Sequence, residues 1–226
     1  VLFRSAMSWL DLITKEIISL FSTQLSLSEL AGYTIGQNLY KLVSPMTFAL
    51  DRVTMTFVGT AMGDRSISRA QKSIKVAITL GLCGAALIES VSLFAKEQLV
   101  SLLSPSQEAW GHALTVFTFC LIQLPFDVIA GGLSSGIKGN GKERAGTFVS
   151  LVANTVFTFP SAYYLFFILK LGARALILSH VVCDLAKMLG YLIVYKRTDW
   201  QYQLTLISKN NKSKFHGKLD EETVTQ

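Results

Sequence analysis

Charged side chains are scarce in this sequence, and their scarcity excludes most soluble folds. Asp, Glu, Lys and Arg make up 16% of the 226 residues, and apolar residues make up 50%, whereas soluble domains are about a quarter charged. Residues 145–169 contain no charged side chain, and a helix needs about 20 apolar residues to cross a bilayer. A soluble helix of that length would carry a polar stripe on its solvent face. This stretch therefore predicts a membrane span.

Cysteine is also scarce, and its placement argues against disulfides and metal sites. Cys83, Cys120 and Cys183 fall in three different apolar stretches, without a Cys-x-x-Cys or His-rich spacing. We expect buried free thiols that behave as small apolar side chains. No nucleophile, metal or phosphate motif lies in a context suited to catalysis, so we expect no enzymatic activity, no metal and no cofactor.

Apolar windows predict an all-α, polytopic membrane protein built as a six-transmembrane-helix bundle. The six predicted spans are residues 6–27, 31–57, 76–98, 110–135, 145–169 and 173–195. We expect residues 1–5 to be a translated sequencing-adapter artefact or a truncated start. Residues 6–196 then form the membrane lobe, and residues 197–226 form a polar cytoplasmic tail.

Basic residues are concentrated on alternate connections between the spans. Connections 52–75 and 138–144, together with the tail, hold fourteen Lys and Arg residues, whereas the other connections hold three. Because connections rich in Lys and Arg stay in the cytoplasm, we expect both ends of the lobe there, in a plasma or a vacuolar or other organellar membrane. This pattern accounts for the net charge of +6. The expected partner is the lipid bilayer and not nucleic acid.

Ionisable groups inside predicted spans are expected to have a charged partner or a functional role, because a charge at the bilayer centre costs about 2.5–3.5 kcal/mol. Asp184 and Lys187 are three residues apart and can neutralise each other on one helix. We therefore predict that this pair is structural. We expect Asp51 and Arg52 near the cytoplasmic end of the second span.

Asp127 differs because its predicted span has no Lys or Arg between Trp110 and Ser135. Burial disfavours the ionised form of such a carboxyl group, so it can take up a proton or a cation and release it when its surroundings change. We predict Asp127 as an ion-coupling residue. The alternative is a structural salt bridge to Lys41 or Lys15 across the bundle.

Asp11 and Glu16 are further candidates on the first predicted span. Five residues correspond to about 140° of helix rotation, so the two acids cannot share a face. Asp11 precedes Lys15 by four residues, which is the favourable order for an ion pair. Both acids stay in the predicted coupling site.

Several short segments recur at spacings typical of one transporter family. Residues 10–11 (LD) are followed five residues after Asp11 by Glu16, and the pair Pro45-x-x-Phe48 is followed by residues 59–64 (GTAMGD). Further on come residues 126–130 (FDVIA), residues 133–141 (LSSGIKGNG), Pro160 and residues 197–200 (RTDW). In this order, from residue 10 to about residue 200, they resemble the C-terminal lobe of multidrug and toxic compound extrusion (MATE) transporters of the eukaryotic type.

The resemblance implies a cation-coupled antiporter that exports organic cations, drugs or toxins while protons or sodium ions run inward. It implies that Asp127 is the acid of the family's tenth helix, and that Asp11 and Glu16 are the acids of its seventh. A missing N-terminal lobe of the same protein would then be a partner. Further cavity-lining residues are expected on the second span: Gln37, Asn38, Tyr40 and Lys41.

The sequence also departs from the family pattern, which leaves two other functions open. Only Gly63-Asp64 remains of the family's usual loop, and Lys15, Lys41 and Lys187 are unusual cations inside its spans. One alternative is a relative that flips lipid-linked sugars or exports polysaccharide. The other is a non-transporting membrane scaffold with a degenerate lobe.

Overall fold

Helices make up almost all of the part of the chain that the computed structural model describes, residues 13–14, 16–103 and 106–209. Helical residues 16–22 precede the long helices, and helical residues 200–209 follow them. Six helices lie between, in chain order: α1 (Leu27–Val43), α2 (Pro45–Gly63), α3 (Ile67–Leu103), α4 (Gln107–Gly139), α5 (Glu143–Ile168) and α6 (Ala173–Lys196). This part of the chain contains no β-strand, so the prediction of an all-α fold is confirmed.

Four of these helices, α3 to α6, are long and apolar enough to cross a membrane. They correspond to the third to sixth predicted spans, although α3 and α4 extend several residues further at both ends. The chain is thus an integral, multi-pass membrane protein. The start of the first predicted span, residues 6–12 with Asp11, and also Lys15 lie outside the described residues.

The second predicted span is not one helix, which corrects the prediction of a single span at 31–57. It divides at Ser44 into α1 and α2. Pro45 opens α2 and has no amide proton to donate back to the preceding turn. The carbonyl of Lys41 instead lies 3.5 Å from the Ser44 hydroxyl, which donates to it. Helix α2 ends at Gly63, six residues beyond the predicted end of the span.

The connection between α2 and α3 is also shorter than predicted. The turn comprises only residues 64–66, and Arg65 adopts a positive φ of 57° there. Arg69, Lys72 and Lys75, which were predicted in a loop, therefore lie on the first turns of α3. Their side chains project from a helix that continues into the membrane.

Helix α4 is the centre of the bundle and packs against α1, α2, α3 and α6. Helix α1 approaches it closely through Gly32 and Gly36. A Cβ atom on Gly32 would lie 2.8 Å from the backbone nitrogen of Ala113, and one on Gly36 would lie 2.5 Å from a Val116 methyl group. Small residues four apart permit such close helix contacts in membranes.

Helix α5 contains two stretches with π-helical hydrogen bonding, Ala153–Thr158 and Tyr164–Ile168. They lie on either side of Pro160, whose missing amide proton interrupts the regular α-helical ladder. The Thr158 hydroxyl donates to the carbonyl of Ala153 at 3.1 Å. The helix thereby stays continuous through a proline in its interior.

Residues 200–209 form a helix within the segment predicted as a polar tail. Trp200 at its start is buried and contacts the ring of Tyr195, with ring centroids 5.5 Å apart. Trp200 belongs to a core cluster at the same end of the bundle as the α2–α3 turn, together with Met62, Ile74 and Ile137. The first part of the predicted tail is therefore packed against the lobe.

Candidate ion-coupling site

Polar and small residues recur every fourth position along one side of α4, at Gln123, Asp127, Gly131 and Ser135. Side chains four residues apart lie on the same face of a helix. From Gln123 to Ser135 this stripe is about 18 Å long at 1.5 Å per residue. Side chains of α1, α2 and α6 meet this stripe, and together with it they form the candidate site.

Asp127 is half-buried, two residues after Pro125 within α4. Its Oδ2 atom lies 3.4 Å from the hydroxyl of Thr47, a buried residue at the start of α2. The same hydroxyl lies 2.7 Å from the carbonyl of Ser44. A hydroxyl has one proton to donate. When Asp127 is protonated, the Thr47 hydroxyl can donate to the nearer acceptor, the Ser44 carbonyl, and accept a hydrogen bond from Asp127.

Asp51 lies opposite Gly131 of α4, a contact that the sequence analysis did not predict. Both of its carboxylate oxygens lie within 2.7 Å of where a Cβ on Gly131 would stand, so a larger residue there would require the carboxylate to move. Ser135, Asp127, Lys138 and Arg52 all lie close enough to this carboxylate to influence it electrostatically. Asp51 lies on α2, which ends at Gly63. Its expected position near the cytoplasmic end of the second span stays a prediction.

A small cavity lies beside Asp51. Its volume is about 10 Å³, and Thr47, Asp51 and Thr54 contribute the polar part of its wall. A space of this size holds about one water molecule. One signal in the sequence could have indicated the site: Thr47 and Asp51 are four residues apart, and Gly131 stands four residues after Asp127.

Tyr40 of α1 lies near acidic residues of both α4 and α6. It is half-buried on α1 and lies within electrostatic range of both Asp127 and Asp184. Gln37, one turn earlier, places its amide nitrogen 3.9 Å from the sulfur of Cys120. Both residues are half-buried on α1, and their expected role in lining a cavity stays a prediction.

The other predicted site residues lie elsewhere. Asn38 and Lys41 are exposed on the outer surface of the lobe, where the Lys41 amine donates to the Asn38 side chain at 3.5 Å. Glu16 is exposed on helical residues 16–22, and Asp11 lies outside the described residues. Roles of these four residues in coupling or in lining the cavity remain predictions.

Asp184 and Lys187 form the predicted ion pair, with 4.0 Å between the amine and Oδ1. Gln123 adds a second partner, because its amide donates to Asp184 Oδ2 at 2.6 Å. Deeper in the same region, the thiol of Cys183 donates to the Asn154 side chain at 3.1 Å. Cys83, Cys120 and Cys183 are all free thiols, but Cys83 is exposed, whereas all three were predicted to be buried.

Comparison with known proteins agrees with this architecture. The family model MatE matches residues 6–164, which is more than half of the chain. The chain belongs to the MatE family.

Among the curated members of this family, the zebrafish (Danio rerio) "Multidrug and toxin extrusion protein 1" is 24% identical over 190 residues, which cover 83% of this chain and 32% of that protein. "Protein DETOXIFICATION 14" of Arabidopsis thaliana is 23% identical and covers 69% of this chain and 32% of its own length. The chain thus spans about a third of the curated relatives that it matches.

Solved MATE structures share the fold. The eukaryotic MATE transporter AtDTX14 superposes with a TM-score of 0.81 at 18% identity, over 87% of this chain and 44% of that one. The MATE transporter ClbM, whose structure contains Rb+, gives a TM-score of 0.75 at 15% identity, over 88% of this chain and 47% of that one. The matched part amounts to somewhat under half of each MATE structure.

Proposed function

We propose that this chain forms the C-terminal lobe of a cation-coupled antiporter that exports organic cations, with protons as the coupling ion. The observation that carries the proposal is the pair of carboxyl groups Asp51 and Asp127 inside the bundle. Two negative charges in a low-dielectric interior repel each other strongly. A proton or a metal cation held at the pair relieves this repulsion.

The contacts around Asp127 favour a proton as the coupling ion. A protonated Asp127 can donate to Thr47, which then donates to the carbonyl of Ser44. In that arrangement the hydroxyl protons of Asp127 and Thr47 each have an acceptor. Loss of the proton leaves Thr47 with one proton for two acceptors, so the local packing depends on the protonation state.

Family relatives support export as the process. Curated members carry names that refer to multidrug and toxin extrusion, and ClbM was crystallised with Rb+. An inward-running ion that binds Asp127 would change the bend of α4 at Pro125 and so favour one state of the lobe. A ligand can shift a conformational equilibrium only through such a difference in affinity.

Ion binding can be measured on the 226-residue chain itself. The melting temperature in detergent should rise as the pH falls from 8.5 to 5.5, because a proton bound only by the folded state stabilises that state. Asp127→Asn should remove this rise while keeping the size of the side chain. Replacing choline with sodium at constant ionic strength and fixed pH tests sodium separately.

The matched control is Glu143→Gln, which removes a carboxylate from the first turn of α5, outside the site. It should leave the pH dependence of melting unchanged. If Asp127→Asn melts with the same pH dependence as the unmodified chain, Asp127 is a packing residue and the proposed coupling site is wrong.

Transport requires a second lobe, because alternating access needs two repeats that rock around a site between them. The chain alone should therefore drive no ethidium flux in liposomes under a pH gradient. In a transporter that pairs this lobe with an N-terminal lobe, Asp127→Asn should abolish pH-driven export. Asp184→Asn should spare the pH dependence of the protein that still folds.

A further inference from the structure

A groove of about 340 Å³ lies between α2 and α3, apart from the carboxylate pair. Its volume is at the lower end of the range of about 300–1,000 Å³ for ligand pockets. On α3 its lining recurs at helical spacing, so it occupies a single face. The lining residues of α3 used below are Arg69, Lys72, Val76 and Leu80.

The groove is polar at one end and apolar along the rest. Arg69 and Lys72 lie near the α2–α3 turn, whereas Val76 and Leu80 lie further along α3. Across from them, α2 contributes Val53, Phe57 and other side chains. Val53, Phe57, Val76 and Leu80 each expose about half of their surface.

The length of the groove matches one leaflet of a membrane. From Arg69 to Leu80 the helix rises about 16 Å at 1.5 Å per residue. Half of a hydrocarbon core is about 15 Å thick. A group bound at Arg69 and Lys72 would therefore lie at headgroup level, and a chain that follows the groove would reach the middle of the bilayer.

The two basic residues differ in their partners. Arg69 forms an exposed ion pair with Asp64, with 3.1 Å between Nη1 and Oδ2, and its guanidinium group keeps further donors. Lys72 forms no ion pair with any residue in the ranges 16–103 and 106–209. Its ammonium group is therefore available to a ligand.

We propose that the α2–α3 groove binds an anionic phospholipid, with its phosphate at Lys72 and Arg69 and one acyl chain along Val53, Phe57, Val76 and Leu80. A small hydrophilic anion would leave the apolar wall uncovered, and an uncharged lipid would leave Lys72 without a counterion. This proposal does not depend on transport or on Asp127.

Native mass spectrometry of the detergent-solubilised 226-residue chain tests the proposal. The chain is titrated with dioleoyl phosphatidylglycerol and, separately, with dioleoyl phosphatidylcholine, which has the same acyl chains. The first phosphatidylglycerol molecule should bind more tightly than the first phosphatidylcholine molecule. Lys72→Gln should weaken its binding about fivefold, since a basic group near an anionic lipid surface contributes about 1 kcal/mol.

Lys75→Gln is the matched control for charge. Lys75 is exposed on the same helix, three residues further on, and does not line the groove. It should change phosphatidylglycerol binding less than twofold. Equal losses from Lys72→Gln and Lys75→Gln would show a diffuse basic surface in place of a site and would overturn the proposal.

Val76→Trp tests the apolar part of the groove. The larger side chain fills the space for the acyl chain and should weaken binding of both lipids. Val91→Trp, at an exposed position of α3 outside the groove, should weaken neither. Unchanged binding in Val76→Trp would show that no acyl chain occupies the groove and would leave another part of a larger transporter to cover this face. Equal binding of the two lipids to the unmodified chain would show that the groove does not select an anionic headgroup. Either result would overturn the proposal.

Discussion

The Gln123 side chain donates a 2.6 Å hydrogen bond to Asp184, which is 7% exposed and sits between α4 and α6. Lys187 approaches the other carboxylate oxygen at 4.0 Å. A buried charge that loses one partner is strongly destabilising, whereas removal of both charges together costs less. We therefore expect the contributions of Asp184 and Lys187 to the stability of the chain to be coupled.

We predict that Asp184→Asn and Lys187→Met each lower the stability of the chain, by roughly 1–3 kcal/mol. The double variant should lose less than the sum of the two single losses. Thermal unfolding in detergent, followed for all four proteins as a double-mutant cycle, measures the coupling. Strictly additive losses would mean that the two side chains do not interact in solution.

Gly32→Ala should destabilise the packing of α1 on α4. The added methyl group would lie 2.8 Å from the backbone nitrogen of Ala113, and a backbone atom cannot turn aside. Gly36→Ala meets a Val116 methyl group at 2.5 Å and the Val116 Cβ at 2.9 Å, but its nearest backbone atom, the Phe117 nitrogen, is 3.1 Å away, so its cost should be somewhat smaller.

Gly111→Ala provides the control for these glycines, because nothing lies within 4 Å of a Cβ at that position of α4. A helical glycine is about 0.5–1 kcal/mol less favourable than alanine, so this variant should melt at an equal or higher temperature. If all three variants melted alike, close approach of the two helices would not be the reason for glycine at Gly32.

Gly131→Ala should disturb Asp51 without changing any charge. The new methyl group would lie 2.6 Å from Asp51 Oδ1 and displace the carboxylate from its place beside Ser135. We expect the pH-dependent part of the melting temperature to shrink more than the baseline stability. Gly59→Ala is the control, since its nearest neighbour would be 3.8 Å away, and an equal effect of both would indicate general helix strain.

The orientation of the lobe can be tested with single cysteines in a background without native cysteine. Lys170 and Arg144 are both exposed at opposite ends of α5, Lys170 on the connection after it and Arg144 on its first turn. The distribution of Lys and Arg predicts that Lys170→Cys reacts with a membrane-impermeant maleimide in intact cells. Arg144→Cys should react only after permeabilisation, and the reverse pattern would invert the topology.

The sequence by itself determined the class of this protein and the position of its last four spans. Residues 145–169 lack charge altogether, and a chain that must satisfy every backbone group inside a bilayer has to be helical there. Spacing alone also indicated the pairing of Asp184 with Lys187, because residues three apart on a helix are neighbours. These properties are local, so they can be read from the order of residues.

Only the tertiary structure decided which polar groups meet. Asp51 lies beside Gly131 of the neighbouring helix α4, and no hydropathy window registers such a contact. The same structure left Lys41 exposed and brought Tyr40 within electrostatic range of both Asp127 and Asp184. Contacts of this kind depend on the rotation and depth of each helix, which are set by glycines and side chains on neighbouring helices.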